Sequence, residues 1–144
     1  MPEPARVLFL CIENANRSQM AEAFARIHGA GVILPSSAGS RPASEVGAKA
    51  IAAMAAVGYD MTGHHPKGLQ EVGPGPWDYV VTMGCGDVCP WVPSRGQFDW
   101  DLPDPKGGSD SDVALVRDEI ERRVKALVRD LQSPRPSQST TTAP

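Results

Sequence analysis

Positive charge, long apolar runs and cysteine are all in short supply in this chain of 144 residues. Its 14 Lys and Arg are outnumbered by 17 Asp and Glu, for a formal net charge of −3, so the chain has no broad field to gather nucleic acid. Any anion site has to be local. No apolar stretch approaches the roughly 18 residues of a membrane span, which excludes a membrane protein of the helical kind. Aromatic residues make up 6%, and Trp77, Trp91 and Trp100 are most simply packing residues. Cys11, Cys85 and Cys89 are an odd count that does not suit a disulfide framework but does suit thiol chemistry in a reducing compartment. Residues 1–5 lack the basic start and apolar middle of a secretory signal, so a cytoplasmic protein is expected.

What is present is alternation. Arg6–Leu10 (RVLFL) has the continuous apolar character of a strand covered on both faces, and a helical pattern through Met20, Phe24 and Ile27 runs to Gly29. A second apolar run, Gly31–Leu34, is followed by an expected turn at Ser37-Ala38-Gly39. Ala48, Ile51, Ala52, Ala55 and Val57 then carry a helix to Gly58, suited to a left-handed C-terminal position. Breakers at Gly73–Pro76 precede a third strand, Tyr79–Met83, and a fourth is expected at Gln97–Trp100. From Ser111 to Leu131, Val113, Val116, Ile120, Val124, Leu127 and Leu131 mark one face of a long amphipathic helix. No repeat of roughly 20–50 residues interrupts the pattern. Residues 1–132 are therefore expected to form one α/β domain around a parallel sheet. Residues 133–144 (SPRPSQSTTTAP) are expected to be a disordered tail, because they offer nothing large and apolar to offset the entropy of ordering. In such a sheet ligands bind beyond the carboxyl ends of the strands, where all three cysteines fall.

Between the first strand and first helix stands Cys11-Ile12-Glu13-Asn14-Ala15-Asn16-Arg17-Ser18, a C-x5-R-S motif. A loop wrapped ahead of a helix N-terminus directs backbone N–H groups of Ile12, Glu13, Asn14, Ala15 and Asn16 to one point, favouring a tetrahedral oxyanion. Arg17 adds a planar fork for two oxygens. The same field favours a thiolate at Cys11, and the Ser18 hydroxyl is placed to donate to it. Asn14 is suited to bracing the loop through local hydrogen bonds, whereas Glu13 is expected to point to solvent. Chemistry at the oxyanion also needs a carboxylic acid opposite the sulfur. Asp99, Asp101 and Asp104 are the candidates.

The chain resembles the low-molecular-weight tyrosine phosphatase superfamily and, within it, the arsenate reductases built on that fold. The resemblance rests on Cys11–Ser18 continuing into Gln19-Met20-Ala21-Glu22-Ala23, on Ser37-Ala38-Gly39, on Thr82-Met83-Gly84-Cys85-Gly86-Asp87-Val88-Cys89-Pro90, and on Asp101-Leu102-Pro103-Asp104-Pro105. It implies a four-stranded parallel sheet flanked by helices on both faces, with flavodoxin-like topology; a monomer is expected, although oligomeric state is not readable from the sequence. It also implies Cys11 as nucleophile, Arg17 as oxyanion ligand, Ser18 as thiolate support and Asp104 as general acid. In the reductases Cys11 would attack arsenate, Asp104 would assist loss of water, Cys85 would attack Cys11, and Cys89 would resolve the bond. An external thiol reductant would then be the partner. The three residues between Cys85 and Cys89 are fewer than in the best-known thioredoxin-coupled pattern. Similar TMGCGD-x-CP loops occur in relatives thought to use a small thiol, such as mycothiol, with a redoxin. Arsenate, phosphate or sulfate would be the oxyanion ligand.

Further departures bear on substrate and metal. Gln19 stands where the phosphatases usually have Pro, and Lys106-Gly107-Gly108 after Asp104-Pro105 lacks aromatic residues to stack on a tyrosine ring, which favours a small inorganic substrate. Thioredoxin-coupled reductases hold a potassium ion at positions matching Asn14, Glu22 and Ser37. The remaining acidic ligand is replaced by Lys67, whose ammonium would supply the charge, so no metal is expected. His64 and His65 read as surface residues. The rival functions are a phosphatase working through a phosphocysteine, and a catalytically silent oxyanion-binding module.

Overall fold

The computed structural model describes residues 3–84 and 90–132; Cys85, Cys89 and the expected tail lie outside them. Four strands, β1 (Ala5–Cys11), β2 (Ile33–Gly39), β3 (Trp77–Thr82) and β4 (Ser94–Asp99), form one parallel sheet in the order β2-β1-β3-β4. The helices are α1 (Arg17–His28), α2 (Ala48–Ala55), the single turn α3 (Leu69–Val72) and α4 (Asp110–Gln132). The expected parallel sheet forms, with a helix after β1, β2 and β4.

β1 is the central strand, and it explains its own unbroken apolar run. Val7, Phe9 and Cys11 face a large core with Met20, Phe24, Met54, Ile120 and Val124 of α1, α2 and α4. Leu8 and Leu10 face a smaller core with Trp77, Val80 and Val92, capped by Leu69 and Val72 of α3. Both faces are covered, as parallel strands require. The cover is unequal: three full helices lie on one side and a single turn on the other. α4 follows the expected face, with Val113, Val116, Ile120, Val124 and Leu127 buried. Two contacts tie it to its neighbours: Arg117 donates to the Ala53 carbonyl at 3.0 Å, and His28 of α1 meets Glu121 at 2.8 Å.

Two expectations are corrected. Ser37-Ala38-Gly39 is not a turn but the end of β2, paired with Phe9, Leu10 and Cys11. Small residues serve there because the loop after β1 lies directly on them: a Cβ on Gly39 would come within 2.6 Å of the Ile12 carbonyl oxygen. Pro35 is tolerated earlier in the same strand because β2 is at the sheet edge. Trp77 is buried under Arg6, and Trp100 packs on Phe9 at 5.9 Å, but Trp91 is 77% exposed and is no core residue. The element α3 had no periodic signal of its own, being too short for one.

Removing the buried Ile120 side chain by Ile120→Ala is expected to lower the unfolding free energy by about 2–5 kcal/mol. Leu115→Ala, on the exposed face of the same helix, should change it by less than about 0.5 kcal/mol. Urea denaturation compares the two, and equal effects would contradict this placement of α4.

Candidate functional site

The loop 11–16 leaves the carboxyl end of β1 and is held by its carbonyls. The backbone N–H groups of Ser40, Arg41, Ala43 and Gly47 donate to the carbonyls of Cys11, Ile12, Glu13 and Ala15 at 2.8–3.1 Å. In a trans peptide the N–H of the next residue points opposite each carbonyl. The N–H groups of Ile12, Glu13, Asn14 and Asn16 are thereby turned to the inside of the loop. That of Asn14 reaches Cys11 Sγ at 3.3 Å. Asn14 makes this curvature with a left-handed φ of 53°, a conformation that Asn tolerates better than most residues. α1 then begins at Arg17, adding the positive end of its dipole.

Cys11, Asn14 and Ser18 are buried together at the floor. Ser18 Oγ lies 2.8 Å from Cys11 Sγ and accepts from Asn14 Nδ2 at 2.7 Å; to a thiolate at Cys11 the serine is the donor. Asn14 Oδ1 accepts from the Lys67 backbone N–H at 2.9 Å, which fixes the amide orientation. Arg17 is buried too: its Nη1 donates to the carbonyls of Met83 and Leu102, and its Nη2 lies 3.7 Å from Asp104 Oδ2. Gly84, at a φ of 78°, makes room for this, since a Cβ there would sit 3.0 Å from Arg17 Nη1 and 2.9 Å from the Leu102 oxygen. Asp104 is half-exposed, and its Oδ1 accepts from the Lys106 N–H at 3.0 Å, which sets the turn that presents it.

Of the three candidate carboxylates, Asp104 is therefore the one beside Arg17; Asp99 instead accepts from Thr82 at 2.8 Å, at the end of the sheet. Glu13 does not simply point to solvent. Its carboxylate takes the Lys106 ammonium at 3.0 and 3.1 Å, joining loop 11–16 to the loop that carries Asp104. Cys85 and Cys89 lie outside the described residues, directly after Gly84 in sequence.

Beside the floor, Glu22 is buried among donors and cations. Ser37 donates to its Oε1, Arg26 meets Oε2 at 2.6 Å, and the Lys67 ammonium lies 3.6 Å from Oε1 and 3.4 Å from Ser37 Oγ. Burial pushes the Glu22 carboxyl up, but the Ser37 hydrogen bond and the charges of Lys67 and Arg26 outweigh it and hold the group below its ordinary value. These oxygens do not fit a potassium ion: two side-chain cations already neutralise the one carboxylate, and Asn14 Oδ1 is engaged by Gln19 and Lys67.

Residues that sequence reading assigned elsewhere complete the surroundings. Gln19 Nε2 reaches Asn14 Oδ1 at 2.9 Å and the carbonyls of Asn14 and His65 at 3.0 Å. His64 is not a surface residue. It is half-buried, with Nδ1 at 2.9 Å from Gln19 Oε1 and Nε2 at 2.8 Å from the Tyr59 hydroxyl, and burial holds it below its ordinary value. His65 is exposed, as expected. Gln19 had a signal in its place next to Ser18 on the first helical turn. His64, 45 residues away, had none.

Comparison with known proteins follows the same lines. The family model for low molecular weight phosphotyrosine protein phosphatase matches residues 6–137. A glutaredoxin arsenate reductase of Synechocystis sp. is 38% identical over 126 residues, covering 85% of this chain and 95% of its own. Among solved structures, an arsenate reductase in the phosphate binding state superposes with a TM-score of 0.81 at 37% identity, covering 89% of this chain and 99% of that one. A thioredoxin-dependent arsenate reductase of Corynebacterium glutamicum gives 0.71 at 36% identity, over 91% of this chain and 63% of that one.

His64 and Glu22, both held below their ordinary values, make stability pH-dependent in one direction. With its folded value below 6.5, His64 takes up a proton more readily in the unfolded chain, so stability is lost as pH falls from about 6.5. Glu22, held below 4.5, contributes stability that is present above about 4.5 and lost as pH falls through its folded value. Urea denaturation should show the unfolding free energy falling between pH 7 and 4, with Glu22→Gln flattening the lower part. A rise on acidification would contradict both assignments.

Proposed function

Since this chain belongs to the low molecular weight phosphotyrosine protein phosphatase family, we propose that it reduces arsenate to arsenite through a covalent Cys11 adduct. The observation that carries this reading is the convergence on one sulfur. The Asn14 N–H and the Ser18 hydroxyl meet Cys11 Sγ, while Arg17 and Asp104 stand together at the mouth. An anionic sulfur and a tetrahedral oxyanion are both matched by donors in place before the reaction begins.

The Cys11 thiolate attacks As(V), and Asp104 gives its proton to a departing hydroxyl, which leaves as water. The loop N–H groups of Ile12, Glu13, Asn14, Ala15 and Asn16 and the guanidinium of Arg17 hold the remaining oxygens. A second thiolate, Cys85, then attacks Cys11 Sγ. The sulfur–arsenic bond breaks with its electron pair on arsenic, so that arsenite departs and a Cys11–Cys85 disulfide remains. Cys89 takes over Cys85, freeing Cys11. An external dithiol of the thioredoxin type, or a small thiol such as mycothiol acting with a redoxin, returns the two electrons. No helix among the described residues is long and apolar enough to cross a membrane. A cytoplasmic setting would keep all three thiols reduced.

Arsenate is favoured over a phosphotyrosine because the mouth offers the Glu13–Lys106 pair in place of an aromatic wall. Relatives above 30% identity carry the reductase name. The second reading, a phosphatase working through a phosphocysteine, is supported by the family description and needs only one thiol.

Arsenite formation should be measured with thioredoxin, glutaredoxin and mycothiol systems in turn. Cys11→Ser and Cys85→Ser are both expected to abolish it. No turnover with any donor, alongside rapid hydrolysis of an aryl phosphate that survives Cys85→Ser, would establish the phosphatase instead. Because Lys67 supplies the charge beside the floor, replacing potassium by sodium at constant ionic strength should leave kcat/KM for arsenate unchanged within about twofold. A tenfold dependence would show that the ammonium does not serve in the place of a metal ion.

A further inference from the structure

Five side chains run in a line from the far side of α1 to the sulfur: Tyr59, His64, Gln19, Asn14 and Ser18. The two amides, Gln19 and Asn14, have their donor and acceptor ends fixed by backbone neighbours that act in one sense only, and the neutral His64 and a thiolate at Cys11 set the rest. Gln19 Nε2 faces three acceptors, namely the carbonyls of Asn14 and His65 and Asn14 Oδ1, so it is the amide nitrogen. Gln19 Oε1 then faces His64, whose Nδ1 carries the proton. The Lys67 N–H fixes Asn14 Oδ1, which leaves Asn14 Nδ2 for Ser18 and the Ser18 proton for Cys11.

We propose that Tyr59, His64 and Gln19 are positioning residues for Cys11, forming a chain in which every group donates toward the sulfur. The Tyr59 hydroxyl donates to His64 Nε2, His64 to Gln19, Gln19 to Asn14, Asn14 to Ser18, and Ser18 to Cys11 Sγ. Hydrogen bonds aligned head to tail polarise one another, each strengthening the next by about 10–30%. The last in the line is the one that meets the sulfur. The chain also holds Asn14 in its left-handed conformation, because Gln19 binds both its backbone and its side-chain oxygen.

The segment that carries the first two members is built to hold them. Met61 is fully buried, and the N–H and hydroxyl of Thr62 both donate to Asp60 Oδ1, closing a turn. The His64 N–H donates to the Met61 carbonyl at 3.0 Å, and the Tyr59 and His64 rings meet edge to face at 5.6 Å. Burial raises the Tyr59 hydroxyl, keeping its proton in place. Glu22, Arg26, Lys67 and His65 are the charged and titratable groups around His64; burial, with the nearby positive groups Arg26, Lys67 and His65, outweighs the opposing Glu22 and favours the neutral ring that accepts from Tyr59.

The proposal rests on Cys11 as the nucleophile but not on arsenate turnover. It is tested in the full chain carrying Cys85→Ser and Cys89→Ser, in which Cys11 is the one remaining thiol. The readout is the rate of alkylation by iodoacetamide against pH, with intact mass confirming a single adduct and thermal melting confirming the fold. Ser18→Ala is expected to raise the midpoint of the profile by about 1 in pH, Gln19→Glu by about 0.5–1, and Tyr59→Phe by about 0.3. Gln19→Glu keeps an acceptor for His64 but loses the donor to Asn14, so it cuts the chain without emptying the space. The decisive pair is Tyr59→Phe with and without Ser18→Ala. A chain acting through Ser18 predicts no further shift in the double variant. An unmoved midpoint in Tyr59→Phe and Gln19→Glu, or the same Tyr59→Phe shift with Ser18 absent, would overturn the chain and leave the proposed nucleophile standing. No shift even in Ser18→Ala would overturn both. Absent arsenate turnover with the shifts as expected would overturn the function and leave the chain.

Discussion

Everything at this site depends on which way four peptides face. Residues 40–47 take the carbonyls of the loop after β1, and the geometry of the trans peptide does the rest, turning the N–H groups to the interior. Because those donors are fixed before any ligand arrives, an anion held there costs little reorganisation. The loop's curvature in turn requires a left-handed residue, met by Asn14, and a partner strand with no side chain at its end, met by Gly39. The sheet contributes by ending β1 and β2 at the same level, so that Cys11 stands directly against Gly39.

Around that floor the buried charges are tied or offset by their neighbours. Arg17 is tied through one end of its guanidinium to two carbonyls, which holds the planar group still without neutralising it. Glu22 is the buried carboxylate that would oppose an incoming anion, and it is offset by Lys67 and Arg26. The loop that carries Asp104 stands outside this arrangement, half in solvent.

The outline of the fold was legible because its strongest signals are local. The run Arg6–Leu10 and the stepping of Val113 to Leu127 each report their own burial, and both elements form where the pattern puts them. C-x5-R-S was legible because thiol, guanidinium and hydroxyl lie within eight residues. Ser37-Ala38-Gly39 misled because small residues that make room for a neighbouring loop look the same in sequence as small residues that make a turn. Trp91 misled because bulk alone does not report where a side chain lies. His64 and Tyr59 could not be seen at the site at all, since what brings them there is the packing of the segment after α2 against α1.

The Glu13–Lys106 pair differs from all of this in being outside and cheap. It bridges two loops in solvent, where such a contact contributes little to stability, while the groups that meet the sulfur lie beneath it and share none of its atoms. The rim pair and the floor are thus built from different side chains. A lineage with this architecture is free to rewrite its doorway, residue by residue, without disturbing the buried cysteine, asparagine and serine underneath.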